Sequence, residues 1–156
     1  MSATTPQLSS AVHMFTQLLS STRRGARLAR LLAAEQLRPW PVSPGVTERA
    51  EQIVAELAAN AALHCRVGSR DFRLTLILDT AADLLRIAVT DARGERLPSP
   101  PADCGTPLDA ESGRGLLLVT ALADRWGFEL YPPGGKTVWA ECACETTDPD
   151  THSGRL

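Results

Sequence analysis

The run ELAANAALH, residues 56–64, decides how this chain is read. Glu56 and Asn60 stand four apart in an alanine-rich amphipathic stretch, so on a helix a carboxylate and a carboxamide project from one face. An amide oxygen is a hard, neutral ligand for magnesium, and a carboxylate can accept a proton from an attacking hydroxyl or water. Ala58, Ala59, Ala61 and Ala62 around the pair allow another layer to approach closely. Alone, the pair reads more readily as a partly solvated patch on an ordinary helix. Its weight comes from the segments that follow in order.

The helix that carries the pair restarts at Thr47, after a connector containing Pro39, Pro41, Pro44 and Gly45, with Glu51 in its first turns. Ile53, Val54, Leu57, Ala61 and Cys65 form its core side, and it is expected to end near Gly68. Upstream, residues 1–10 read as a flexible, Ser/Thr-rich start, and Ala11 to Leu19 as a first strand. Ser21 or Thr22 can cap a helix that runs to about Leu37 and is stopped by Pro39. Arg23, Arg24, Arg27 and Arg30 give it a basic side, which reads as a solvated face or as a docking surface for an acidic partner.

Downstream, two strands are joined by a turn at Ala81 to Asp83. Leu74, Leu76 and Leu78 alternate with polar residues in the first, and Leu85, Ile87 and Val89 in the second. Period two puts Asp91 on the apolar side. A carboxylate there costs several kcal/mol to desolvate unless a donor meets it. An adenine amino group is such a donor; an acid at an ordinary strand end is the plainer alternative. Ala92 to Glu111 reads as a proline-rich loop of the length that often forms a lid. Gly113, Arg114 and Gly115 then open an apolar helix from Leu116 to Ala123, whose free amides and Arg114 would suit phosphate oxygens. Two last strands follow, with Trp126, Phe128 and Leu130 alternating in one and Val138, Ala140 and Cys142 in the other. Thr137 falls on the other side of the last strand, where its hydroxyl could support a base pocket. The tail, residues 145–156, is polar and reads as disordered.

At 156 residues the chain fits one domain, taken as residues 11–144. A formal net charge of −2 argues against a general nucleic-acid or anionic-membrane binder. No segment is apolar enough to span a bilayer and no secretory signal pattern opens the chain, so a cytoplasmic location is expected. Cys65, Cys104, Cys142 and Cys144 lack the spacing of a zinc site and read as reduced, structural thiols.

These motifs together carry a resemblance. ELAANAALH looks like the N-box of the GHKL ATPase superfamily, VTDARG like a degenerate first glycine box, ESGRGLLLV like the second, and GGKTVWAE like the closing Gly-Thr segment. Their order resembles the small anti-sigma-factor members, serine/threonine kinases related to histidine-kinase ATPase domains. The resemblance implies an α/β two-layer sandwich, with a mixed, mostly antiparallel sheet covered on one face by helices. It implies ATP and Mg²⁺ as cofactors, Asn60 as the magnesium ligand, Glu56 as the general base and Asp91 as the reader of the adenine amino group. Gly94 belongs to the first glycine box. Gly113, Arg114, Gly115 and Leu116 would wrap the phosphates, and Thr137 would back the adenine. The implied chemistry is γ-phosphoryl transfer to a serine or threonine of a STAS-type anti-anti-sigma protein. A sigma factor is the second implied partner and a homodimer a further expectation. The alternative is a binding module that sequesters a partner without catalysis.

Overall fold

Alternating leucines and valines in the middle of the chain build a sheet with one face toward helices and one left open. A computed structural model describes residues 11–63, 71–91, 109–131 and 135–144. In chain order the elements are β1 (Val12–Leu19), α1 (Arg23–Leu37), α2 (Pro44–Leu63), β2 (Phe72–Asp79), β3 (Leu84–Asp91), α3 (Asp109–Leu122), β4 (Arg125–Tyr131) and β5 (Gly135–Ala143). The strands lie in the order β1-β2-β3-β5-β4, and all four pairings among the described residues are antiparallel. This is the α/β two-layer sandwich that the sequence implies, its sheet antiparallel throughout.

Register carries the alternation across the sheet. Leu76 pairs with Ile87, and Ile87 pairs in turn with Ala140, so one row of side chains runs from β2 to β5 on the helix face. These residues are fully buried beneath α2, which contributes Ile53, Val54 and Leu57 to the same core. Each such leucine or isoleucine stabilises the fold by about 2 kcal/mol. Ala29 and Ala33 of α1 meet the α2 side at zero exposure, as do Ala50 and Ala58 of α2, so small side chains let the two helices lie close.

Helix starts follow local chemistry. Thr22 caps α1, its side chain accepting from the Gly25 amide at 3.0 Å. A Cβ on Gly25 would lie 1.9 Å from the Ser20 carbonyl oxygen, so only glycine fits where β1 turns into α1. For α2 the expected start at Thr47 moves back to Pro44. Ser43 accepts from the Val46 amide at 3.3 Å as the cap, and Pro44 takes the first helical position, where it loses no hydrogen bond. The expected end of α2 near Gly68, the side chain of Cys65, and Cys104 lie outside the described residues, as do both termini. The four arginines of α1 are exposed.

The β2–β3 turn is closed by Asp79, whose Oδ1 accepts from the amides of Ala81 at 3.0 Å and Ala82 at 3.2 Å. Asp83 takes a left-handed backbone, φ 51°, which an aspartate tolerates. On β4, Trp126 packs against the core, but Phe128 and Leu130 on the same face are 61 % and 79 % exposed. The alternation there marks a face left largely exposed beyond Trp126, with Lys136 Nζ 5.3 Å from the Phe128 ring. On the open face of the sheet, Arg86 lies 4.5 Å from the Trp139 ring and bridges to Glu141 at 3.6 Å and Glu129 at 3.7 Å.

Two outcomes test this packing. Gly25→Ala is expected to lower the thermal midpoint by roughly 5–10 °C, because the new methyl meets fixed backbone; an unchanged midpoint would contradict the close approach. Cys142 is buried and unpaired by disulfide, and burial pushes its thiol up to about 11. The unfolded chain ionises this thiol near its ordinary value of 9, so between about pH 9 and pH 11 unfolding releases a proton that the folded state keeps. Stability should therefore hold below pH 9 and fall by about 3 kcal/mol across that window. Denaturant melts of Cys142→Ala should show a shallower fall; an identical slope would place the thiol in a more polar setting.

Candidate functional site

Where β3 ends and β5 begins, the helix face of the sheet opens into a pocket of about 150 Å³ against α2 and α3. Its floor is apolar. Val89 and Val138 are direct partners across the β3–β5 pair and both line it. One residue pair further out in the same register phase, Asp91 and Lys136 face each other at the rim. Leu57, Asn60 and Ala61 form the wall from α2, three positions that share a helical face. Leu116 forms the wall from α3.

The pocket thus joins a mostly apolar slot to three polar side chains with different capacities. Ionised Asp91 only accepts hydrogen bonds, Lys136 only donates, and the Asn60 amide does both. Such a slot with a few convergent polar groups is the usual form of a small-molecule site.

The walls are fixed from behind. Thr120 donates to the Leu116 carbonyl at 2.8 Å and accepts from Trp126 Nε1 at 2.8 Å, which ties the pocket side of α3 to β4. At the other end of α3, Arg49 of α2 donates to the Leu122 carbonyl at 3.2 Å, a cation on a helix C-terminus. Asp124 then accepts from the Ala143 amide at 2.7 Å and holds the α3–β4 turn to β5. The orientation of α3 is set by these three contacts together with the buried Val119.

Of the residues singled out in the sequence, Asn60, Asp91 and Leu116 come together here. Glu56 lies one turn before Asn60 on α2, half-buried and outside the pocket lining. Thr137 lies on the other side of β5 from Val138, as expected, but that side is not the pocket side. It pairs with Thr90 on the open face of the sheet, where the two hydroxyls lie 2.9 Å apart, and β-strand alternation turns it away from the pocket. The glycine-flanked start is also displaced: α3 begins at Asp109, so Gly113, Arg114 and Gly115 lie past the four unpaired amides of its first turn. Their amides belong to the helix ladder and are not free to wrap phosphate. Gly94 and the rest of the segment expected to form a lid, residues 92–108, lie outside the described residues.

Lys136 is the residue that sequence reasoning missed. Its signal was present, since the alternation that sets Val138, Ala140 and Cys142 on the core side also sets Lys136 there. Among the described residues no cluster of three or more acidic, histidine or cysteine side chains could hold a metal ion, and no helix is long and apolar enough to cross a membrane. A magnesium ion would fit instead as such ions commonly bind nucleotides, with one protein oxygen, here that of Asn60, and the rest of its shell from phosphates and water.

No curated protein matches the sequence. A family model, the histidine kinase-like ATPase domain, matches residues 3–142, nearly the whole chain and every element from β1 to β5 short of its last residue. With the two-layer fold and a pocket that joins the α2 asparagine to the β3 aspartate, that match places the chain in a family: it belongs to the histidine kinase-like ATPase domain family, within the GHKL superfamily.

Proposed function

We propose that this chain binds ATP with Mg²⁺ in the pocket between α2 and the β3–β5 edge, and uses it as a regulatory protein kinase of the anti-sigma type. The observation that carries the nucleotide reading is the convergence of Asn60 and Asp91, 31 positions apart in sequence, on one apolar slot. The slot takes the base between Val89, Val138 and the α2 wall. Asp91 accepts from the adenine amino group. The ribose and phosphates extend past the slot toward α3, and Asn60 supplies an oxygen to magnesium.

Bound Mg²⁺ neutralises charge on the phosphates as transfer proceeds. Glu56, one turn from Asn60, would take the proton of the attacking serine or threonine hydroxyl. The acceptor is a STAS-type anti-anti-sigma protein, and the nucleotide-bound chain holds a sigma factor. This assignment of partners rests on the order of the motifs.

Two observations favour a second reading, in which the chain binds a partner and nucleotide without transfer. Glu56 does not line the pocket, and the amides of Gly113–Gly115 are committed to α3. Incubation with radiolabelled ATP, Mg²⁺ and a candidate anti-anti-sigma protein separates the two. On the kinase reading, label appears on a partner serine or threonine, and Glu56→Gln lowers the rate by about 10²–10⁴-fold with an unchanged melting midpoint. ATP binding without label on any partner would establish the binding module in its place.

A further inference from the structure

The two edges of the sheet are built differently. β4 carries Arg125, Gly127 and Glu129, and Pro132 and Pro133 follow it in the sequence, features that discourage a further strand from pairing. β1 carries none of these: its eight residues, VHMFTQLL, include no lysine, arginine, aspartate, glutamate, glycine or proline. Phe15 and Leu19 pack toward the core, and alternation leaves Val12, Met14 and Leu18 on the opposite, open face at 62 %, 64 % and 50 % exposure. A long, uncharged edge strand with an apolar face is a template for another strand.

The outward backbone groups of β1 belong to the same residues. Ala11 directs its backbone toward β2, its carbonyl accepting from the Thr80 amide at 3.1 Å and its amide donating to the Thr80 hydroxyl at 2.9 Å. Alternation then turns the amides and carbonyls of His13, Phe15 and Gln17 to β2, and those of Val12, Met14, Thr16 and Leu18 outward. The Leu18 carbonyl accepts from Gln17 Nε2 at 3.1 Å, so a side chain of its own strand stands where a neighbouring strand would bond. Among the described residues no other strand meets this edge.

We propose that β1 pairs antiparallel with β1 of a second copy of this chain, about a two-fold axis at Phe15. In an antiparallel ladder the hydrogen-bonded pairs join residues whose groups both point across, so an outward residue must meet an outward residue. The axis at Phe15 meets that condition, setting Val12 opposite Leu18 of the second copy and Met14 opposite its Thr16. Val12 then packs on Leu18, and the two methionines become diagonal neighbours within reach of each other. The apolar stripe is thus its own complement in spacing, and a neutral strand offers a charged partner nothing to pair with. Such an isologous match closes at two copies and leaves the charged β4 edges at the ends of the joined sheet. It does not depend on the nucleotide reading of the pocket.

Sedimentation of the full chain tests the pairing. One strand and its side chains make an interface at the low end of stable sizes, so the average mass should rise from 16.7 kDa toward twice that value between about 1 and 100 μM. Met14→Lys and Thr16→Glu each put a charge at an exposed position of the edge, and each should weaken association at least about tenfold. Mixed in equal amounts the two variants should associate again, because this register sets the introduced ammonium opposite the introduced carboxylate. In dilute solution, where the unaltered chain is monomeric, both variants should keep its melting midpoint. The proposal is overturned if the chain stays monomeric at about 100 μM, if either variant associates as the unaltered chain does, or if the mixture does not recover. A midpoint lowered in dilute solution would also overturn it, since the edge would then be covered by another segment of the same chain, such as residues 1–10.

Discussion

Everything at the site depends on the register of β3 against β5. Leu85 opposite Cys142, Ile87 opposite Ala140 and Val89 opposite Val138 send their side chains under the helices, and the same phase brings Asp91 and Lys136 to the pocket rim. A slip of one residue in β5 would turn Val138, Ala140 and Cys142, and Lys136 with them, to the other face. The rim would then hold Thr137 in place of Lys136, whereas in this structure Thr137 meets Thr90 on the open side at 2.9 Å. Burial of the core fixes the register, because the slipped pairing would expose several large apolar side chains at about 2 kcal/mol each. Stability of the sheet and chemistry of the site are therefore set by one alignment.

The helix α2 joins the two. Its buried side, with Ile53, Val54 and Leu57, covers the sheet, and one turn later Asn60 and Ala61 reach the pocket. A polar residue so close to a fully buried row is tolerable because the sheet ends there and the pocket opens. The same helix holds α3 in place through Arg49, so the two walls of the slot share a support. The cysteine at the end of β5 has no part in this; burial keeps it a thiol and a packing residue.

The sequence made the layer structure legible because its strands alternate cleanly and its helices carry caps. Asn60 and Asp91 were legible for the same reason: one follows from helical spacing, the other from period two in β3. The boundaries of α2 and α3 were less so. In each case a residue read as standing before or at the helix start, Pro44 in the connector to one and the Gly113–Gly115 pair at the opening of the other, lies inside the helix. Proline costs nothing in a first turn, and Asp109 and Glu111 favour a helix start that the glycines weaken by about 1 kcal/mol each without preventing it. Alternation already set Thr137 on the far side of β5 from Val138, and the same alternation assigns the pocket side to Lys136. Pattern outweighed residue type there, since facing is decided by the whole strand.

The central claim is that Asp91, Asn60 and the Val89–Val138 floor form a magnesium-nucleotide site. Calorimetric titration of the full chain with ATP, with and without Mg²⁺, tests it most directly. Saturable one-to-one binding that Mg²⁺ strengthens, and that Asp91→Asn weakens at least tenfold, is the result this account requires. No heat of binding up to millimolar ATP, with the protein folded, would contradict it.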